Sequence, residues 1–240
     1  MNINKRFLFL LVFLPFTILS LDFLELEDGF MIEVFVEDID TPRQIAESDA
    51  GNIFVGSRNG GTISVIDSNK SIRVIAEGLS NSTGVTYHAG DLYFSEVNSI
   101  WKIPNIDEAL LSSERMPDKA LVTNNLPSDT WHGWKWIDFG PDGNLYIAEG
   151  VPCNVCDEED NRFGTILKLS DNNLSIYADG VRNSVGFDWH PTSGEMYFTD
   201  NGRDWMGDDI PPCELNRVQY EGEHRSEEHT SELQSPCNLV

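Results

Sequence analysis

The stretch GNIFVG at residues 51–56 returns three times along the chain, as GDLYFS at 90–95, GNLYIA at 143–148 and GEMYFT at 194–199. Each copy is a glycine turn, a polar residue and a short run of apolar or small residues. The glycines lie 39, 53 and 51 residues apart. The flanks repeat as well. An alternating segment precedes each copy: QIAE at 44–47, GVTY at 84–87, WIDF at 136–139 and GFDW at 186–189. Another follows the first three copies: GTISVI at 61–66, SIWKI at 99–103 and GTILKL at 164–169. A last one closes these units: IRVIA at 72–76, ALVT at 120–123 and LSIYA at 174–178. Period-2 alternation rich in β-branched and aromatic residues predicts strands. The Gly, Asn and Asp between them predict tight turns. A four-stranded antiparallel unit with a period of about 40–50 residues predicts an all-β fold, a β-propeller. About four blades are expected here, and six in the intact ring, because an open ring leaves strand edges unpaired. One short helix is expected between units, at 107–112.

The 240 residues carry a formal net charge of −24, with 16 Lys and Arg against 40 Asp and Glu. Such a surface repels phosphate backbones and anionic membranes, which argues against a nucleic-acid partner. The N-terminus reads as an address. Lys5 and Arg6 precede an apolar run from Phe7 to Leu21, broken by Pro15, Thr17 and Ser20. That run is short for a membrane span and fits a secretory signal, with an uncleaved anchor as the alternative. Export to the periplasm or the extracellular space is expected. At the other end, composition shifts abruptly after His224. Residues 225–235, RSEEHTSELQS, are similar to the in-frame translation of a common sequencing adapter. The expected division is a signal or anchor at 1–21, a partial propeller at 22–224, and a foreign, unfolded tail at 225–240.

Cys153 and Cys156 form a C-x-x-C in an acidic loop. Haem attachment needs a His after the second Cys, and Asp157 stands there. A zinc site needs a second cysteine pair, which is absent. In an exported protein a structural disulfide or a plain loop is expected. Cys213 and Cys237 stand apart.

Propeller loops at one end of the channel carry function, and two loops are rich in polar and aromatic residues. In SDTWHGWK at 128–135, His132 is a candidate general base or a packed histidine. In GVRNSVG at 180–186, Arg182 is a fixed cation suited to a carboxylate ligand. The following DNGRDWMGDD at 200–209 offers oxygens for a hard cation such as calcium. A solvated acidic loop paired with an arginine is the plainer reading.

Three segments occur in one order: WHGWKWIDFGPDGNLY at 131–146, GVRNSVGFDWHP at 180–191, and the run from FTDNGRDWMGDD at 198–209 to ELNR at 214–217. Together they resemble the glucose/sorbosone dehydrogenase family, in its sorbosone-dehydrogenase-like branch. The resemblance runs from about Gly29 to His224. It implies a six-bladed propeller that uses pyrroloquinoline quinone (PQQ) and calcium to oxidise a sugar, an aldose or a related aldehyde or alcohol. It implies that His132 takes the hydroxyl proton while the substrate carbon passes hydride to the quinone. It implies that Arg182 and Asn183 contact the cofactor, and that the backbone carbonyls of Gly202 and Arg203 bind calcium. The electron acceptor is not specified.

Departures are visible too. Trp131 replaces an acidic residue that orients the base, so the orientation of His132 must come from elsewhere. Arg203 stands where the glucose enzyme has proline, and Cys213 precedes Glu214 where an acidic residue is found. Later blades supply further cofactor contacts, so residues 22–224 alone are expected to be inactive. A non-catalytic propeller that binds carbohydrate or protein is the alternative. A calcium-dependent lactone hydrolase needs convergent carboxylates, and no clear set is present.

Overall fold

The computed structural model describes residues 24–112, 117–156, 158–207, 210, 212–218 and 221–224. The expected signal or anchor at 1–21 and the expected foreign tail at 225–240 lie outside them. The described residues before Asp38 and those from Asp38 onward fall into two separate units. In the first, residues 24–37 are irregular, with a turn in which the Phe30 N–H donates to the Glu27 carbonyl at 3.1 Å.

The second unit holds the repeats, folded as four blades. Blade one is β1 (Pro42–Glu47), β2 (Ile53–Ser57), β3 (Thr62–Ile66) and β4 (Ile72–Ala76). Blade two is β5 (Val85–His88), β6 (Asp91–Ser95), β7 (Ile100–Ile103) and β8 (Ala120–Thr123), with helix α1 (Ile106–Ser112) between its last two strands. Blade three is β9 (Ile137–Phe139), β10 (Leu145–Glu149), β11 (Thr165–Ser170) and β12 (Asn173–Asp179). Blade four is β13 (Phe187–Trp189), β14 (Met196–Asp200) and β15 (Glu214–Arg217). Strands within each blade pair antiparallel in sequence order.

The repeat glycines explain the first turn of each blade. Gly51, Gly90, Gly143 and Gly194 have φ of 79°, 89°, 75° and 72°, a region open to glycine at little cost. Two elements were not read from the sequence. The ELNR segment is the strand β15. A short β16 (Glu223–His224) adds to the outer edge of blade three, parallel to β12.

Three apolar clusters fill the three interfaces between successive blades. Phe54, Ile63, Val85 and Phe94 join blades one and two, with Ile106 of α1 among them. Ile100, Ile137, Ile147 and Leu167 join blades two and three. Tyr146, Ile166, Phe187 and Phe198 join blades three and four. Gln44 on β1 ties three innermost strands together. Its Nε2 donates to the Ile137 carbonyl at 2.7 Å, and its Oε1 accepts from the N–H groups of Ile137 and Val85 at 3.1 and 3.3 Å. Among the described residues, no helix is long and apolar enough to cross a membrane.

Candidate active site

In an antiparallel blade, the start of the first strand and the ends of the second and fourth strands share one end. The loop before β9, the loops after β10 and β14 and the loop after β12 therefore open on the same side. These loops carry His132, Val151 to Cys156, Asn201 to Asp204, and Arg182 with Asn183. The candidates read from three separate sequence segments thus meet.

His132 is buried, 6% exposed, with φ of 50°. Its Nδ1 lies 2.8 Å from the Val151 carbonyl. A carbonyl only accepts, so Nδ1 carries the hydrogen and the neutral ring keeps its lone pair on Nε2. The orientation that Trp131 does not supply comes from this backbone oxygen. Burial lowers the His132 pKa most; the Val151 carbonyl opposes that, the Arg182 charge adds to it, Asp204 opposes it and Arg58 adds to it. Arg58 lies over the Trp134 ring, 3.6 Å from its centroid.

Gly150 is the point of convergence. A Cβ there would lie 2.6 Å from the His132 Cβ and 3.2 Å from the Asn183 Oδ1. One residue on, the Val151 N–H donates to the Arg182 carbonyl at 2.9 Å. Asp200 at the end of β14 accepts from the backbone N–H groups of Arg182 and Asn183, at 3.0 and 2.7 Å.

The Arg182 side chain is 3% exposed. Its Nε donates to the Asn154 carbonyl at 3.0 Å, Nη1 to the Asn201 carbonyl at 3.0 Å, and Nη2 to the Asn154 Oδ1 at 2.8 Å. The Asp204 carboxylate stands 3.5 Å from Nη2. Of five guanidinium N–H groups, these bonds use three. Burial lowers the Arg182 pKa, opposed by Asp204, Asp200 and Cys213.

The 201–204 loop presents backbone oxygens. The carbonyls of Asn201 and Asp204 accept from Arg182 and from the Asn154 Nδ2. Among the described residues, the two carbonyls between them, of Gly202 and Arg203, accept no hydrogen bond. Two free carbonyls suit a hard cation. Among the described residues no group of three or more His, Cys, Asp and Glu side chains is placed to hold a metal. For an anionic planar quinone, the groups that fit are the His132 Nε2 lone pair and the Arg182 guanidinium, whose charge Asp204 partly balances at 3.5 Å.

Cys153 and Cys156 are joined in a disulfide, while Cys213 is free and exposed. Behind His132, the Lys135 Nζ meets the Glu149 Oε1 at 2.7 Å, both side chains fully buried. This pair pins the His132 loop to the end of β10.

Sequence reasoning missed Gly150, Val151, Asn154 and Asp200. Asp200 lay within a quoted motif, and Asn154 sits between the paired cysteines. Val151 acts through its carbonyl, which side-chain identity does not mark.

No protein-family model matches the chain. An uncharacterized protein of Borreliella burgdorferi is 35% identical over 213 residues, covering 84% of this chain and 55% of that protein. The chain thus spans about half the length of this curated relative. Among solved structures, the PQQ-bound aldose sugar dehydrogenase of Streptomyces coelicolor superposes with a TM-score of 0.62 at 19% identity, over 80% of this chain and 64% of that one. The calcium structure of a carbohydrate-active enzyme of Trichoderma reesei superposes with a TM-score of 0.64 at 19% identity, over 80% and 55%. The four blades thus carry the β-propeller fold that these sugar-active proteins share.

Proposed function

We propose that the protein belongs to the sorbosone-dehydrogenase-like branch of the PQQ-dependent sugar dehydrogenases and oxidises an aldose or a related aldehyde or alcohol sugar. The single observation that carries this reading is His132, buried, neutral and with Nε2 free, beside Arg182 and Asn183. Nε2 accepts the proton of a substrate hydroxyl, and the Val151 carbonyl stabilises the ring that results. Arg182 and Asn183 would hold PQQ, with Arg182 set against its carboxylate or quinone oxygens. The Gly202 and Arg203 carbonyls would hold calcium. When bound, PQQ would supply the group that accepts hydride from the substrate carbon.

The activity belongs to a closed ring, of which these four blades are an arc. The protein is exported, and its N-terminal segment is cleaved or kept as an anchor. The sugar enters from solution; the electron acceptor is open. The test is dye reduction by the full-length protein, its gene read across the His224–Arg225 junction, supplied with PQQ, calcium and a panel of sugars. Reduction with at least one aldose supports the reading, and none across the panel removes it.

A second reading is a propeller that binds carbohydrate without chemistry. Trp131 and Trp205, 47% and 88% exposed, support it as stacking surfaces. His132→Asn separates the two. A binding module keeps its sugar affinity and never turns over, while the dehydrogenase loses turnover.

A further inference from the structure

We infer that Asn154, held inside the ring closed by the Cys153–Cys156 disulfide, is a redox-gated positioning residue that locks Arg182 and the 201–204 loop into one arrangement. The functional consequence rests on the dehydrogenase reading; the latch itself does not.

Asn154 makes four hydrogen bonds to segments far along the chain. Its carbonyl and its Oδ1 accept from Arg182 at 3.0 and 2.8 Å, across 28 residues. Its Oδ1 also accepts from the Asp204 backbone N–H at 2.8 Å, and its Nδ2 donates to the Asp204 carbonyl at 3.3 Å, across 50 residues. One residue thus joins the candidate quinone-binding arginine to Asp204, at the end of the 201–204 loop.

Nothing regular holds Asn154 in place. Residues 152–156 belong to no strand or helix. The constraint on the segment is covalent, the disulfide that flanks Asn154 on both sides. Closing so short a ring removes most of the backbone freedom the segment would otherwise have. Without it, ordering Asn154 costs the entropy of an irregular loop, against a few hydrogen bonds of modest net worth. Both cysteines are partly exposed, so a small thiol reaches them.

The step balances with a dithiol as reductant. A thiolate attacks one sulfur, the S–S bond breaks, and a mixed disulfide forms. The second thiol then closes the reductant into its own disulfide. Cys153 and Cys156 leave as thiols, having gained two electrons and two protons. Exported proteins meet an oxidising environment and cytoplasmic ones do not. The latch therefore closes after export, and the cofactor site assembles only there.

The test is hydrogen exchange of the full-length protein, oxidised and after dithiothreitol, with peptide-level alkylation following Cys153 and Cys156. Reduction is expected to speed exchange at the Asp204 amide by about tenfold, as befits losing one well-held bond, while the core of β10 is unchanged. In Asn154→Ala the amide exchanges fast in both states, and dithiothreitol adds nothing. Exchange at Asp204 that ignores thiol release in the wild type overturns the latch, whether or not the variant folds. Calcium and PQQ titrations on the same samples then report the consequence. A latch that opens with no PQQ binding in either state leaves the inference standing and removes the dehydrogenase reading. PQQ binding that persists undiminished with an opened latch removes the gating and leaves the enzyme.

Discussion

At the scale of single residues, the proposed chemistry rests on how His132 is held. Its backbone φ of 50° is tolerated by asparagine better than by most residues. His132→Asn therefore keeps the loop and removes the base. Turnover is expected to fall by about 10²–10⁴-fold, with thermal unfolding little changed; dye reduction and a melt together check it. The pH profile follows from the lowered His132 pKa. The base stays neutral below the ordinary histidine value of about 6.5, so kcat/KM holds its plateau below that pH and falls only with further acid. Stability moves the same way. The unfolded chain binds this proton at higher pH than the folded one, so stability is full above the unfolded pKa and declines as pH falls through the folded value. Much of this residue scale was legible beforehand. The motif around 131–146 singled out His132, and the change at Trp131 announced that its support lay elsewhere. Where that support lay was not legible, because it is the carbonyl of Val151, and every residue has a carbonyl.

At the scale of elements, two features hold the His132 loop against the end of β10. Gly150 leaves no room for a side chain, since a Cβ would lie 2.6 Å from the His132 Cβ and 3.1 Å from its carbonyl oxygen. Gly150→Ala must push His132 aside, so it is expected to lose most turnover while the protein stays folded by circular dichroism. The Lys135–Glu149 pair is the second. Burial drives the Glu149 carboxyl up and the Lys135 ammonium down, and the mutual attraction opposes both. Among the described residues, the Glu149 Oε2 has no hydrogen-bond partner. Removing one partner strands the other charge, so Lys135→Met is expected to cost about 3–5 kcal/mol. The double variant Lys135→Met, Glu149→Leu is expected to recover most of that loss in denaturant unfolding. Strands and turns were the easiest features to read, because period-2 alternation and the repeat glycines state them locally. The strand β15 escaped because ELNR carries no apolar alternation; its pairing with β14 is set by its neighbour, not by its own composition. The burial of Lys135 escaped for a similar reason, since a lysine between two tryptophans reads as loop until Glu149 is seen opposite.

At the scale of the whole molecule, blade packing depends on close backbone approach. A Cβ on Gly56 would lie 2.2 Å from the Thr83 carbonyl oxygen, and one on Gly84 would lie 2.8 Å from the Lys135 carbonyl oxygen. Gly56→Ala is therefore expected to separate blades one and two and to lower the melting temperature markedly. Gly186→Ala is the control, since its Cβ would meet nothing nearer than the Thr199 Oγ1 at 3.9 Å. The number of blades in this chain was legible from four glycine turns. The meeting of three distant motifs at one end also follows from antiparallel topology once the repeat is recognised. The assembly of Arg182 with the 201–204 loop was not legible, because beside the direct Arg182–Asn201 and Arg182–Asp204 contacts it passes through Asn154, whose partners lie 28 and 50 residues away. The proposed function requires this end of the propeller to bind PQQ through Arg182, Asn183 and main-chain calcium ligands. The most direct measurement is a PQQ titration of the full-length protein with and without calcium, followed by absorbance. Saturable micromolar binding that chelation abolishes and that Arg182→Met weakens is expected. Absence of binding with calcium present would contradict it.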